Sequence, residues 1–286
     1  MKLTERDLRH LIREILLNEI DIEEVGEACW VAGSTHTLST CTIGGDKFYL
    51  KFSDISMDYD GSDPSLLALN EYLAYKIYKL FPGAKTPSRI EIVYDRTNKK
   101  AAVATSAVPG RHGMSIPPSE LAKLLTAGVY VDIFMSHWDI SNRANLVVSP
   151  EGDSVTRIDP AGTMGKRAQG RDKGAAFSDN PTELHSMLPT SDQRITNIYV
   201  GADLREAAES FLGVPWSDIL GTIETTYQQV FDDLNERGMT TLTREWNAYV
   251  DRITPILANR HHIVSAHCRH IMETGHVPTR RIVREV

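Results

Sequence analysis

The stretch from His137 to Gly162 constrains the fold more than any other part of this sequence. It opens with His137-Trp138-Asp139-Ile140-Ser141-Asn142-Arg143-Ala144-Asn145 and closes with Arg157-Ile158-Asp159-Pro160-Ala161-Gly162. Between these phrases lie two short apolar runs, Leu146–Val148 and Val155–Ile158, on either side of Glu151-Gly152-Asp153. Such runs around a glycine-containing turn predict a hairpin, so the order is loop, strand, turn, strand, ending in a carboxylate. A chain folded this way offers one acid to an attacking group, and a second acid with a carboxamide to a metal ion. Phosphoryl transfer from ATP needs such groups, because its chemistry is mostly positioning plus neutralisation of phosphate charge.

The remaining parts lie upstream. Phe48-Tyr49-Leu50-Lys51-Phe52 alternates like a half-buried strand and carries one lysine. Twenty positions on, Glu71 falls in Leu66–Leu80, where Leu66, Leu69, Leu73, Ile77 and Leu80 recur at helical spacing. Pro64 and Ser65 suit the start of that helix, and Phe81-Pro82-Gly83 its end. A strand lysine steadied by a helix glutamate can contact the α- and β-phosphates of ATP. Further upstream, Val31-Ala32-Gly33-Ser34-Thr35-His36-Thr37 suits a small-residue turn between strands, whose N–H groups and hydroxyls would cover phosphates. Singly, each part has an ordinary reading: an edge lysine, a surface glutamate, an Asp/Asn turn. The ordered set is what points to phosphoryl transfer.

These phrases, in this order, resemble the kinase-like superfamily, and more closely its atypical branch of HipA-like and phosphatidylinositol-kinase-like proteins. The resemblance spans about residues 25–275 and rests on short motifs. It implies a two-lobed α+β fold: an N-lobe over 25–108, β-rich with one helix, a linker over 109–118 and a mainly helical C-lobe over 119–286. It further implies ATP and Mg²⁺ as cofactors. Lys51 would be the phosphate lysine, Glu71 its ion-pair partner and Asp139 the catalytic aspartate. Asp159, with Asn145 or Asn142, would bind the metal. Gly33, Ser34 and Thr35 would form the phosphate loop, and Ser106, Ala107 and Val108 the hinge that meets adenine, after a strand over Lys100–Thr105.

The departures define the subclass. Trp138, not arginine, precedes Asp139, and Pro160-Ala161-Gly162 follows Asp159, so the ordinary Ser/Thr/Tyr kinase phrases are absent. Atypical members usually place the metal asparagine five positions after the aspartate; here that position is Ala144, with Asn142 and Asn145 on either side. The phosphate loop has one glycine. The expected activity is phosphotransfer to a protein hydroxyl. A small-molecule or lipid-head-group acceptor, AMP transfer on the same fold, and a catalytically silent pseudokinase acting as a binding or virion-associated protein stay open.

The other features bound the setting. A chain of 286 residues suits one two-lobed domain. Its net charge of −7 argues against nucleic acid as a partner, and no apolar run approaches a membrane span. Three scattered cysteines, Cys29, Cys41 and Cys268, point to a reducing, cytoplasmic setting. Residues 1–24 form a separate element, with Leu3, Leu8, Leu11, Ile12, Ile15 and Leu16 near one helical face. That helix is expected to pack on the lobe or a partner. Its Met-Lys-Leu-Thr start and Leu17-Asn18-Glu19 end resemble the leaders of phage virion-packaged proteins, which implies removal after Glu19.

Residues 119–138 are expected as one buried helix delivering His137 and Asp139, with Ser119-Glu120 as its cap. The segment Ala161–Pro189, with Lys166, Arg167, Arg171 and Lys173, reads either as a mobile surface loop or as a holder of phosphate or an acidic substrate. Two helices close the chain, Trp216–Arg237 and Leu242–Thr274, the latter broken at Pro255. His261, His262, His267 and His270 read as a solvated or packed helix face.

Overall fold

The alternating segments pair as strands. In the computed structural model, which describes residues 30–32, 37–43, 46–52, 63–95, 99–168, 170–188 and 198–278, β2 (Thr37–Ile43) and β3 (Asp46–Phe52) run antiparallel, Leu38 opposite Lys51 and Thr40 opposite Tyr49. β1 (Trp30–Ala32) adds to the outside of β2. On the other side β3 pairs with β5 (Lys100–Ser106), which pairs with β4 (Ile90–Asp95). The sheet order is β1-β2-β3-β5-β4, every neighbour antiparallel. The two-residue period buries Phe48 and Leu50 and leaves Tyr49 and Lys51 half-buried on the opposite face.

Between β3 and β4 comes α1 (Ser65–Tyr78). Leu66, Leu69, Leu73 and Ile77 are buried as their spacing predicts, but so are Asn70, Glu71, Tyr72 and Tyr75. A helix buried all round must be enclosed, and α1 lies between the sheet and the C-terminal helices α6 (Trp216–Glu236) and α7 (Thr240–Thr274). Ser65 Oγ accepts the Ala101 N–H (2.8 Å), fixing the helix start to β5.

The chain then enters a second, three-stranded antiparallel sheet, ordered β6 (Arg111–His112), β7 (Leu146–Val148), β8 (Val155–Arg157). The β7–β8 hairpin matches its sequence expectation, with Gly152 at φ +77° in the turn. Residues 109–118 are not a bare connector, since β6 pairs with β7. Gly110 makes that pairing possible: at φ +148°, a Cβ there would lie 2.1 Å from the Val148 carbonyl oxygen. The remainder is mainly helical, with α2 (Pro118–Leu124), α3 (Val129–Phe134), α4 (Glu183–Ser186) and α5 (Leu204–Leu212) preceding α6 and α7. Asp203 caps α5, accepting the Arg205 and Glu206 N–H groups. The fold is α+β, a small sheet-containing N-terminal region with one helix followed by a mostly helical part.

Several expectations need correction. Residues 119–138 are not one helix: α2 ends at Leu124, a 3₁₀ turn covers Thr126–Gly128, and α3 ends at Phe134. Gly128 closes that turn against the Arg157 guanidinium, where a Cβ would lie 1.9 Å from it. The cap of α2 is Pro117 with Pro118 at its first position, not Ser119-Glu120. Conversely, α7 runs unbroken through Pro255. A mid-helix proline costs about 3 kcal/mol, which burial of Tyr249, Ile253, Leu257 and Arg260 on either side of it offsets. Among the described residues no helix is long and apolar enough to cross a membrane. The expected helix and leader over residues 1–24 lie outside the described residues.

Candidate active site

Where the five-stranded sheet faces the β7–β8 hairpin there is a cleft of about 430 Å³. β3 contributes Tyr49 and Lys51, α1 contributes Glu71, and β5 contributes Val103, Thr105 and Ser106. Val108, Gly110 and His112 close one side, and Asn145, Val147, Ile158 and Asp159 form the opposite wall. Residues separated by more than 100 positions therefore share one cavity, lined by the charged Lys51, Glu71 and Asp159 and by the apolar Val103, Val108, Val147 and Ile158. Such a mix suits an aromatic base joined to an anionic group.

Lys51 is the charged centre. Its Nζ lies 2.5 Å from Asp159 Oδ1 and 3.3 Å from Glu71 Oε2, with Glu71 only 3% exposed. Burial works against the ammonium, but the Asp159 and Glu71 carboxylates outweigh it and hold Lys51 above the ordinary lysine range. Burial pushes Glu71 up to about 7, opposed by Lys51 and reinforced by Asp159. The strand lysine and helix glutamate expected from sequence thus meet, and Asp159 meets the same ammonium.

The turn bearing Asp139 is a 3₁₀ segment, Trp138–Ser141, followed by a second, Arg143–Asn145. Asn145 Nδ2 donates to the Asp139 carbonyl oxygen (3.3 Å), and Asn145 lines the cleft with Asp159. Asn142 is exposed, and its Oδ1 accepts the Ala144 N–H (3.2 Å), capping the second turn. Asp139 is half-buried. The chain after Asp159 passes over it, since a Cβ on Gly162 would lie 3.1 Å from Asp139 Oδ2.

At the hinge, Ser106 and Val108 line the cleft. The Ala107 N–H donates to the Lys47 carbonyl (2.9 Å) and the Ser106 N–H to that of Arg89 (3.0 Å), so these two donors serve the sheet. Gly33, Ser34 and Thr35, expected over the phosphates, lie outside the described residues.

Below the cleft a buried polar network joins the two acid-bearing segments. Arg157 donates to Asp132 through Nε (3.0 Å to Oδ1) and Nη2 (2.6 Å to Oδ2). The hydroxyls of Tyr78 and Tyr199 donate to the same carboxylate at 2.6 and 2.7 Å, and His137 Nδ1 is 3.3 Å away. Burial alone would raise Asp132, but the Arg157 charge and these hydrogen bonds hold it well below the usual carboxylate range. Arg157 lies two residues before Asp159 and His137 two before Asp139, so the network sets the spacing between the segments. Sequence reasoning missed it. The available signal was one charge of each sign inside a run otherwise uncharged, Asp132 in Val129–Phe134 and Arg157 in Val155–Ile158. Tyr49 was also missed, although β alternation puts it on the Lys51 face. His112 gave no signal.

Magnesium takes oxygen ligands, and commonly one or two from protein with substrate phosphates completing the shell. Asp159, with the carboxamide oxygen of Asn145, fits that donor set. Among the described residues no three His, Cys, Asp or Glu side chains form a fuller metal cage. His267 is 4% exposed and packs 5.6 Å from the Tyr130 ring, a packed rather than solvated position.

Of the four basic residues after Asp159, Arg167 and Arg171 are exposed. Lys166 and Lys173 are buried, which removes them from any anion-holding surface. No protein-family model matches the chain, and no curated protein sequence does. Among solved structures it is similar to the Helicobacter pylori proinflammatory kinase CtkA, with 12% sequence identity and a TM-score of 0.48 over 86% of this chain and 98% of that one.

Proposed function

We propose that this protein is an ATP- and Mg²⁺-dependent phosphotransferase of the atypical kinase-like type, acting on a protein hydroxyl. The observation that carries this reading is Lys51, held between buried Glu71 and Asp159 in the cleft. The apolar lining, Val108, Val147 and Ile158, would take the base, and Lys51 would donate to the α- and β-phosphates while Glu71 keeps its ammonium in place. Lys51 must leave Asp159 Oδ1 for that role, which frees the carboxylate. Asp159 and Asn145 would hold magnesium, which supplies neutralisation of the phosphate charge. Asp139 would accept the proton of the acceptor hydroxyl as its oxygen bonds to the γ-phosphorus and the bond to the β-phosphate oxygen breaks, leaving ADP. Asp139, half-buried beside Gly162, is not among the residues that line the cleft, so the acceptor would reach it from outside.

A direct Lys51–Asp159 ion pair also suits a silent nucleotide-binding module, so the test must separate these readings. Purified protein is incubated with Mg²⁺ and ATP labelled at the γ- or the α-phosphate, wild type beside Asp159→Ala. Protein-bound γ-label that is absent from the variant is the expected result. Bound α-label instead means AMP transfer, and no turnover by wild type rejects catalysis.

A further inference from the structure

Lys173 is 8% exposed, and among the described residues no carboxylate pairs with it within ion-pair distance. Its Nζ donates to the Ser136 carbonyl (2.6 Å), the Ser136 hydroxyl (3.3 Å) and the Gly162 carbonyl (2.9 Å). Ser136 lies three residues before Asp139 and Gly162 three after Asp159. One buried side chain therefore joins the two segments that carry the proposed chemistry.

The joint is strained. Ser136 (φ +56°) and Met164 (φ +48°) are both left-handed without being glycine. They meet there, with the Met164 N–H donating to the Met135 carbonyl (2.6 Å). Such conformations persist where the surroundings over-determine them, and they cluster at functional sites. The surroundings here are substantial. The Ser136 hydroxyl donates to Glu183 (2.5 Å), which accepts from Arg260 (2.9 Å), and Arg260 also donates to the Phe134 and Ile133 carbonyls. On the other side Asn70 Nδ2 donates to the Ala161 and Thr163 carbonyls, and the Gly165 N–H donates to the Tyr249 hydroxyl. Burial lowers the Lys173 ammonium to about 7, with Glu183 opposing.

We propose that Lys173 is a positioning residue that braces the Asp139 turn against the chain following Asp159, so that the two acids are aligned by a buried contact of the chain itself. This rests on the phosphotransferase reading for its catalytic consequence, but not for the brace itself. Lys173 does not line the cleft, so its loss should misplace Asp139 while leaving nucleotide binding intact.

The test compares wild type, Lys173→Met and Ser136→Ala by steady-state kinetics and by amide hydrogen exchange. Expected for Lys173→Met is a kcat lower by up to about 100-fold with KM for ATP within about twofold, and faster exchange confined to residues 136–139 and 162–168. Ser136→Ala leaves both carbonyl acceptors in place, and should show the same pattern with a smaller loss even if Lys173→Met fails to fold. Wild-type kcat in both variants, or kcat and KM moving together with faster exchange throughout, would overturn the brace. If wild type turns over no ATP, the phosphotransferase reading fails, and exchange alone decides the brace: local loosening upholds it, and unchanged protection overturns it.

Discussion

Asn142 and Asn145 carry the same carboxamide three positions apart, and only their hydrogen bonds separate them. Asn145 lines the cleft beside Asp159 with its nitrogen turned to the Asp139 carbonyl, while Asn142 caps a turn in solvent. Asn145→Ala is therefore expected to lower Mg²⁺-dependent turnover by about 100-fold or more, the scale of one lost electrostatic stabiliser. Asn142→Ala should cost about 1 kcal/mol of stability, as for other caps, with turnover within a few-fold. Side-by-side kinetics over a Mg²⁺ titration check this, and equal effects of the two variants would reject the assignment. Lys51 and Glu71 were legible because each lies in a periodic element that fixes its direction. The asparagines lie in successive 3₁₀ turns, where spacing alone does not say which amide faces the cleft.

Among the elements, β3, β5, α1 and the β7–β8 hairpin were legible from period and turn chemistry. The break between α2 and α3 was not, and the Arg157 side chain that requires glycine at 128 lies 29 positions away. Nor was continuity through Pro255, where packing on both sides overrides a local penalty. The Asp132–Arg157 pair makes this element-scale dependence testable. Both side chains are fully buried, so removing one charge leaves the other stranded, at about 3–5 kcal/mol. Asp132→Asn should accordingly unfold at lower denaturant at neutral pH. Asp132 is depressed in the folded protein, so its contribution is present above the ordinary aspartate value of 3.8 and is lost as pH falls below it. Wild type should lose stability over that acid range and the variant should lose less of it. Parallel acid curves would show that the pair does not govern acid unfolding.

At the scale of the whole molecule, the cleft exists only because four separated stretches meet, so a wall residue such as His112 carries no signature along the chain. The same convergence predicts a stability response. In the free protein Lys51 is paired with Asp159; nucleotide with magnesium would replace that contact by bonds to both walls of the cleft at once. A ligand at 100 times its Kd stabilises by about 2.7 kcal/mol, which at about 2–4 °C per kcal/mol is a rise in Tm of about 5–10 °C. ATP with Mg²⁺ should give that rise in wild type and a smaller one with a chelator present. In Asp159→Ala the two conditions should coincide, because the oxygen that distinguishes them is gone. Lys51→Ala should respond weakly to either, since it lacks the donor to the phosphates while Glu71, relieved of its cation, stays buried beside them. A wild-type Tm unmoved by ATP with Mg²⁺ would mean that the cleft is not a nucleotide site, and an undiminished shift in Asp159→Ala would move the metal elsewhere.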